Sequence, residues 1–375
     1  MYRSVRPLLF LLPPEAAHGL GMWSLRGLGS SGAARRRLRA RALEPARRGV
    51  DLSVSIAGLR LEHPIALAAG LDKDARAVDG LFALGFSAVE IGTITPRPQP
   101  GNPPPRLFRL PEHEALINRM GFNNSGAVAA SQRLRALIWR PGPVGANIGK
   151  SKATPIERAA DDYLACVDEL APWSDYVVVN ASSPNTPGLR QLQEPEHLAA
   201  LLKAVRTRWD QVAPGKPLLL KIAPDLGLEA VDAIVDLARE HRVDGLIATN
   251  TTITRPVRHP IGAEAGGLSG RPIRELATRI VFRAYERSGG ALPIIGVGGV
   301  FTGADAYEKI RAGASAVQLY TGFIYGGPDT VHRVLAELVE LLRRDGFQSL
   351  RQAFGADHRA MASTHTERRF EPARG

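Results

Sequence analysis

Polar residues follow a series of short apolar runs in this chain, and their side chains indicate the chemistry that they could support. The runs are rich in Val, Ile and Leu and are typical of buried strands. Amide and hydroxyl groups both donate and accept hydrogen bonds, which suits a planar ring carrying its own amides. Eight such positions in order predict one shared pocket rather than eight unrelated loop caps. The polar residues are Lys73, Thr93, Asn147, Asn180, Lys221, Thr249 with Asn250, and Tyr320 with Thr321, and the seventh run ends in Gly298-Gly299.

The two glycine-containing stretches near the end of the chain predict a phosphate site. Residues 296–299 read Gly-Val-Gly-Gly before a predicted helix, and residues 320–322 read Tyr-Thr-Gly after the last apolar run. Glycines let backbone amides approach a phosphate closely. No G-x-G-x-x-G follows the first run, so a doubly wound nicotinamide dinucleotide site is not expected.

Two further residues each allow two interpretations. Lys221 is either the amine of a Schiff base or a fixed positive charge, and a flavin would need the fixed charge near N1 of its ring. Ser183, in the proline-containing stretch 180–188, is either a nucleophile or base or a turn former. No Gly-x-Ser-x-Gly elbow surrounds Ser183 and no histidine is near it in sequence, so the residue alone favours the turn.

The elements that would position these residues form a regular alternation of strands and helices, which predicts an α/β fold. Eight strands separated by crossover helices favour a closed (β/α)8 TIM barrel over an open sheet. A capping box at 154–157 predicts a helix running to about residue 170, and a hairpin at 53–61 precedes the barrel. Two long insertions are expected to be binding loops, an extended proline-rich one at 93–143 and a glycine-rich one at 251–271. The predicted strands are 65–69, 88–91, 144–148, 176–179, 218–222, 245–248, 293–297 and 316–319, and helices are expected near 195–212, 228–241, 272–288, 303–312 and 329–344.

Composition and charge exclude several classes of protein. The chain has 375 residues with 44% hydrophobic and 23% charged residues, so it buries a large core. Its one cysteine, Cys166, forms neither an internal disulfide nor a thiolate metal site, and no metal is expected. The net charge of +11 is concentrated at the ends, because residues 1–50 hold ten Arg against two Glu. Residues 51–350 are nearly neutral, which argues against a nucleic-acid partner.

The N-terminal segment has the composition of a helical arm. Its apolar run at 8–12 is closed by two prolines and is too short for a spanning helix, which needs about 20 residues. A later stripe that includes Leu20 and Trp23 precedes the basic run 35–41, a pattern that fits insertion into one membrane leaflet. An arm packed on its own domain explains the pattern equally well, and an organelle presequence or nucleic-acid arm is a further alternative. We therefore expect an arm at 1–45, a barrel at 46–345 and a disordered tail at 346–375.

Seven motifs, in order, resemble the class 2, membrane-associated, quinone-dependent dihydroorotate dehydrogenases. The resemblance covers residues 1 to about 345 and implies a barrel that binds one FMN per chain. It implies oxidation of (S)-dihydroorotate to orotate in de novo pyrimidine biosynthesis, with ubiquinone or menaquinone as electron acceptor. The motifs are AAGLDKD at 68–74, EIGTITPRPQPGNPPPRLFRL at 90–110, INRMGFNN at 117–124, NASSPNTPGLR at 180–190, ATNTT at 248–252, GGLSGRP at 266–272 and IIGVGG at 294–299.

The resemblance also implies roles for individual residues. Ser183 matches the base that removes the C5 proton, with Thr186 and Phe122 as its neighbours, and related soluble classes use Cys there. His18 and Arg109 match residues that face the quinone head. The positions matching the dihydroorotate site are Lys73, Asn118, Arg119, Met120, Gly121, Phe122, Asn180, Asn185, Asn250 and Thr251. The positions matching the FMN site are Ala69, Gly70, Leu71, Asp72, Lys73, Thr93, Asn147, Asn180, Lys221, Thr249, Gly270, Gly299, Tyr320 and Thr321.

Three other functions compete with this one. A tRNA dihydrouridine synthase would use a catalytic Cys, a non-redox phosphate-binding barrel would use Lys221 as a Schiff base, and a membrane-attached scaffold would not need polar strand ends. The resemblance implies peripheral attachment to a membrane lipid surface. Since no extra leader precedes the arm, the cytoplasmic face of a bacterial cell membrane is expected rather than a mitochondrial membrane.

Overall fold

The computed structural model describes residues 2–47 and 49–361, and strands and helices alternate through most of this length. In chain order the strands are β1 Val54–Ile56, β2 Leu59–Leu61, β3 Ile65–Leu67, β4 Val89–Ile94, β5 Leu107–Leu110, β6 Ala115–Asn118, β7 Val144–Ile148, β8 Tyr176–Asn180, β9 Leu218–Ile222, β10 Gly245–Ala248, β11 Gly267–Gly270, β12 Ile294–Val297 and β13 Ala316–Leu319. The helices are α1 Tyr2–Leu11, α2 Pro14–Ser30, α3 Gly32–Ala42, α4 Val78–Ala83, α5 Ala127–Arg135, α6 Ala159–Leu170, α7 Pro195–Val212, α8 Leu228–Glu240, α9 Arg274–Ser288, α10 Gly303–Arg311, α11 Thr321–Gly326, α12 Thr330–Arg344 and α13 Leu350–Ala353.

Eight parallel strands close into a barrel in the order β3, β4, β7, β8, β9, β10, β12 and β13, with β13 pairing again with β3. The predicted (β/α)8 barrel is confirmed, and each predicted apolar run overlaps one barrel strand. Every residue of β8 and β9 is buried, because the strands are covered by helices outside and by side chains inside. The hairpin predicted at 53–61 forms from β1 and β2.

Helix α6 starts later than the capping pattern predicted. Residues Ile156–Arg158 form a 3₁₀ turn, and α6 begins at Ala159 without a side-chain cap. Pro155 has an extended backbone, with φ −65° and ψ 160°, and it precedes the turn instead of being its first residue. The capping box predicted for Thr154 and Glu157 therefore does not form. A capping box does form at α10, where Thr302 and Asp305 bond each other's backbone N–H groups.

The two insertions build a small sheet beside the carboxyl ends of the barrel strands. The first supplies the hairpin β5–β6 and the helix α5, and the second supplies β11, which pairs antiparallel with β6. Side chains of the three strands of this sheet, including Leu110, Ile117 and Leu268, form an apolar cluster separate from the barrel core. The prediction that 93–143 is an extended stretch without hydrogen bonds is therefore wrong for the part after the prolines. That part forms the hairpin β5–β6, and one face of the hairpin is buried.

The N-terminal arm packs tightly against the barrel. Helix α2 crosses α4 where Gly29 meets Gly80, and a Cβ on Gly80 would lie 2.0 Å from the carbonyl oxygen of Leu25. Two arginines of the basic run, one helical turn apart, point inward. Arg35 pairs with Asp79 at 3.3 Å, and Arg39 donates to Glu62 at 2.7 Å. Part of the basic run is thus structural rather than a solvated face.

Helices α1 and α2 of the arm carry exposed apolar side chains, beside exposed arginines such as Arg36 and Arg37 of α3. Leu8, Leu11 and Trp23 are 65%, 80% and 74% exposed. None of the helices in the described part of the chain combines the length and the apolar composition needed to cross a bilayer.

The segment after the barrel is ordered over its described part, which corrects the prediction of a disordered tail from residue 346. Ser349 bridges to Asp51, and Leu350 of α13 is fully buried. The His358 ring stacks on Phe282 with centroids 3.8 Å apart. These contacts pair the tail with non-local partners, which a search for local periodicity does not detect. Residues 362–375 of the predicted tail lie outside the described residues.

Candidate active site

A cavity of about 990 Å³, counting its open mouth, lies at the carboxyl ends of the barrel strands, under the small sheet. Most of the residues predicted for the site come together there. They are Ala69, Gly70, Lys73, Thr93, Asn118, Met120, Gly121, Phe122, Asn180, Ser183, Asn185, Lys221, Thr249, Asn250, Thr251, Gly270, Gly299, Tyr320 and Thr321.

A chain of hydrogen bonds connects the strand ends at one side of the cavity. Asn180 Nδ2 donates to Thr93 Oγ1 at 2.8 Å, and Thr93 Oγ1 donates to Asn147 Oδ1 at 2.5 Å. Asn250 Nδ2 donates to Asn180 Oδ1 at 3.2 Å and to Ser182 Oγ at 3.0 Å. Because each side chain is held by the next strand, the polar surface is rigid before any ligand binds.

A buried carboxylate lies behind this surface. Glu90 of β4 has no solvent exposure and accepts from Asn147 Nδ2 at 2.8 Å and from Gln318 Nε2 at 2.6 Å. Lys221 Nζ, which lines the cavity, is 4.0 Å from Glu90 Oε1. Burial lowers the pKa of Lys221, and the Glu90 carboxylate opposes that shift. Glu90 thus favours the ammonium form of Lys221, a fixed positive charge.

Ser183 and its loop form another part of the wall. The side chain is almost fully buried, and the backbone N–H of Asn185 donates to Ser183 Oγ at 3.3 Å. Asn185 Nδ2 donates to Asn118 Oδ1 at 3.0 Å, which ties this loop to the end of β6. Thr186 Oγ1 is buried and has no hydrogen-bond partner among the described residues. The cavity wall therefore contains the buried hydroxyl of Ser183, and the same loop carries a second buried hydroxyl, that of Thr186, which lies outside the cavity lining.

Lys73 brings a second positive group to the cavity. Its Nζ donates to the carbonyl oxygen of Gly70 at 2.8 Å. Burial, with a smaller contribution from the Arg106 guanidinium, lowers the pKa of Lys73 to about 8. The ammonium is thus the main form at neutral pH and gains stability from an anionic ligand.

The far end of the cavity is lined by backbone. Gly298 and Gly299 have positive φ, +114° and +73°, and a Cβ on Gly299 would lie 2.5 Å from Cα of Arg274. Gly322 and Thr321 lie beside them, and Thr321 Oγ1 is 2.8 Å from Ser269 Oγ. Amides and hydroxyls on a glycine surface fit a phosphate group, as the sequence predicted.

Several predicted residues do not line the cavity. Leu71 packs in the barrel core, Asn147 lies behind Thr93, and Asp72 accepts three backbone N–H groups of the following turn, including that of Ala77 at 2.8 Å. Arg119 turns its side chain away and pairs with Glu264 at 2.6 Å. These four residues support the site through the backbone or the neighbouring residues.

The sequence reasoning missed a few residues. Glu90 and Gln318 each interrupt an apolar strand, and a polar residue inside such a run was the signal that could have found them. Ser269 lies on the inserted strand β11, which reaches the cavity only through its pairing with β6, so no local pattern marks it.

The two residues predicted to face a quinone lie outside the cavity lining, by the arm. Arg109 Nη1 donates to the carbonyl oxygens of Phe10 and Leu12 at 3.1 and 2.8 Å, and its guanidinium lies 4.6 Å from the centroid of the Phe10 ring. Burial lowers the pKa of His18 in α2 to about 4, and the positive charge of Lys73 contributes. His18 is therefore neutral at pH 7.

Cys166 lies outside this cavity. Cys166 is fully buried in α6 with Sγ 3.7 Å from the carbonyl oxygen of Ile94, and burial raises the pKa of its thiol. It does not line the cavity, which disfavours a cysteine-dependent barrel enzyme. Within 2–47 and 49–361, no three His, Cys, Asp or Glu side chains are grouped to hold a metal ion.

Comparisons with known proteins point to one family. A family model described as dihydroorotate dehydrogenase matches residues 51–342. The chain is 67% identical over 359 residues to the dihydroorotate dehydrogenase (quinone) of Myxococcus xanthus, covering 96% of this chain and 98% of that protein. It is 50% identical to the protein of that name from Acidithiobacillus ferrooxidans, over 95% of this chain and 99% of that one. The crystal structure of the Eimeria tenella enzyme, DHODH, in complex with ferulenol matches with a TM-score of 0.81 and 40% identity, over 92% of this chain and 96% of that one.

Proposed function

Because this chain belongs to the quinone-dependent dihydroorotate dehydrogenases, oxidoreductases of pyrimidine biosynthesis that oxidise dihydroorotate to orotate, we propose that its cavity carries out this reaction. The hydride acceptor is one FMN per chain, and the final electron acceptor is a membrane quinone. The observation that carries the proposal is the cavity itself, which combines a polar wall, two lysines, a buried serine and a glycine surface.

The residues present fit an FMN. Its phosphate matches the amides at Gly298, Gly299 and Gly322, and its ring matches the wall formed by Thr93, Asn180 and other strand ends. Bound at these residues, FMN would supply the hydride acceptor for C6 of dihydroorotate. Lys221 would supply a positive charge for the pyrimidine edge of the ring, and the neighbouring Glu90 carboxylate favours the protonated form against the effect of burial. This assignment disfavours Lys221 as a Schiff-base amine.

Ser183 is assigned as the base that takes the C5 proton. A serine hydroxyl is a weak base, so the reaction depends on a wall that excludes water and on a route by which the hydroxyl loses its own proton. Thr186, three residues further along the same loop, has a buried and unpartnered hydroxyl, and we assign it to that route with Phe122 as part of the wall. The Asn185 N–H fixes the position of Ser183 Oγ.

The remaining polar groups bind the substrate. Lys73 pairs with the carboxylate of dihydroorotate, a charge-assisted contact that its position at the cavity favours. Asn118, Asn185, Asn250 and Thr251 offer donors and acceptors for the ring amides and carbonyls. Arg119 holds the 118–122 segment in place from outside through Glu264.

The arm is assigned to the quinone and the membrane. Its exposed Leu8, Leu11 and Trp23 suit insertion into one leaflet of a lipid bilayer. We assign neutral His18 and the Arg109 guanidinium, which lie in or against the arm, to the polar head of ubiquinone or menaquinone. We propose a peripheral location on the cytoplasmic face of a bacterial cell membrane.

Anaerobic mixing tests this function. The purified protein should be yellow, dihydroorotate should bleach the flavin absorbance without oxygen, and a short-chain ubiquinone added afterwards should restore it. A colourless protein whose cavity rejects added FMN, or a flavin that dihydroorotate leaves oxidised, would contradict the proposal. A flavin that is bleached but not reoxidised by the quinone would contradict only the assignment of the acceptor.

A further inference from the structure

An ion pair connects the N-terminal arm to the wall of the substrate cavity. Glu15, in the first turn of α2, accepts from Arg106 Nε at 3.0 Å and from Arg106 Nη2 at 3.0 Å, a bidentate pair. The Arg106 side chain is 13% exposed and that of Glu15 is 35% exposed. Planar bidentate pairs are more rigid and more specific than single contacts, so the pair fixes where α2 begins relative to the first insertion.

The same guanidinium holds the loop that precedes β5. Arg106 Nη1 donates to the carbonyl oxygens of Pro100 and Asn102 at 2.6 and 2.9 Å. The Arg106 guanidinium thus donates to Glu15 through Nε and Nη2, and to two loop carbonyl oxygens through Nη1. Glu15 therefore orients the guanidinium, and the guanidinium orients the loop at Asn102.

Asn102 in turn holds two segments of the cavity wall. Its backbone N–H donates to the carbonyl oxygen of Met120 at 3.0 Å. Its Nδ2 donates to the carbonyl oxygens of Arg119 at 2.9 Å and Asn185 at 3.1 Å. Met120 and Asn185 both line the cavity, and the backbone N–H of Asn185 bonds Ser183 Oγ. Asn102 thus links the two walls from outside the cavity, in addition to the direct bond between Asn185 and Asn118.

We propose that Glu15 and Arg106 are positioning residues that transmit the placement of α2, through Asn102, to the dihydroorotate-binding walls. This inference rests on the proposed function. It gives the arm a second role, because the helix that carries His18 also sets the geometry of the substrate side. The order of action is Glu15, Arg106, Asn102 and then the 119–120 and 185 backbone.

Orotate titration of the oxidised holoenzyme tests the proposal, with the flavin absorbance change as the signal. Glu15→Gln keeps the size of the side chain and removes its charge, so the orotate Kd should rise by about 3- to 10-fold, as expected for a partly exposed bidentate pair. Asn102→Ala should raise it at least as much. The double variant should be no worse than Asn102→Ala alone, since Glu15 acts through Asn102.

Glu62→Gln is the matched control. Glu62 pairs with Arg39 of α3 and so also ties the arm to the barrel, and the hydrogen bonds of Arg39 go to Phe82, Phe86 and Glu62 rather than to Arg106 or Asn102. This variant should change the orotate Kd by less than about twofold. Flavin content and thermal unfolding of each variant establish that it is folded.

The outcomes separate the two claims. If wild-type protein gives no spectral change with orotate, the proposed function fails. If wild type binds orotate and Glu15→Gln binds it equally well, the positioning role is refuted. An equal loss in Glu62→Gln, or strictly additive losses in the double variant, would also refute it, because either result would indicate general loosening of the arm.

Discussion

The proposed pairing of Lys73 with the carboxylate of orotate predicts an affinity that depends on pH. Burial lowers the pKa of Lys73 to about 8, so the ammonium dominates at pH 7 and the neutral amine at pH 9. The proposed ion pair forms with the ammonium only. The protonated fraction in the free enzyme falls about tenfold between pH 7 and pH 9, and the orotate Kd should rise by about the same factor. The bound carboxylate favours the charged form, so the complex loses its proton at higher pH than the free enzyme.

Orotate titrations of the oxidised holoenzyme at half-unit steps from pH 6.5 to 9.5 would measure this dependence. Neither His18 nor Tyr320 titrates within this pH range, because the pKa of His18 is about 4 and that of Tyr320 is about 12. Lys73→Gln is the matched control and should bind weakly with a flat profile. An unchanged Kd from pH 7 to pH 9 in the wild type, or the same slope in Lys73→Gln, would refute the assignment of Lys73 to the carboxylate.

Three more substitutions test other parts of the structure. Ser183→Ala should leave flavin bound and slow its anaerobic reduction by dihydroorotate by about 10²- to 10⁴-fold, and an unchanged rate in stopped-flow measurements would remove Ser183 from the role of base. Glu90→Gln leaves the Lys221 ammonium without its anionic neighbour, so the free energy of unfolding in urea should fall by about 3 kcal/mol, whereas unchanged stability would show that the pair is not coupled. Gly80→Ala places a methyl group against the backbone of Leu25 and should cost about 2 to 3 kcal/mol in the same assay, while a neutral effect would mean that α2 shifts freely on α4.

The barrel was predictable because its strands are buried on both faces. Such strands appear in sequence as continuous apolar runs, and the polar residue that ends each run marks the carboxyl edge. The same logic located Thr93, Asn180 and Lys221 correctly at one cavity. It failed where a contact depends on partners far away in sequence, as at Ser269 or in the ordered part of the C-terminal tail.

Side-chain direction was the other limit of the sequence. A motif places a residue in a segment but does not say which way its side chain turns. The sequence therefore could not show that Arg119 pairs with Glu264 or that Asp72 accepts backbone N–H groups of the following turn. The direction of the arginine side chains in α3 was equally unpredictable. The sequence shows only a basic run, and the packing of α3 on α4 decides which arginines point inward and which point outward.

That division within α3 bears on how the protein would sense the lipid composition of a membrane. Arg35 and Arg39 are neutralised by barrel carboxylates, and Arg41 pairs with Asp329 at 3.3 Å. The electrostatic attraction to an anionic headgroup layer would therefore be weaker than ten N-terminal arginines suggest. In the proposed membrane binding, apolar contact from Leu8, Leu11 and Trp23 would contribute the larger share. Adsorption of this kind tolerates salt, because ionic screening weakens attraction between charges and leaves apolar burial intact.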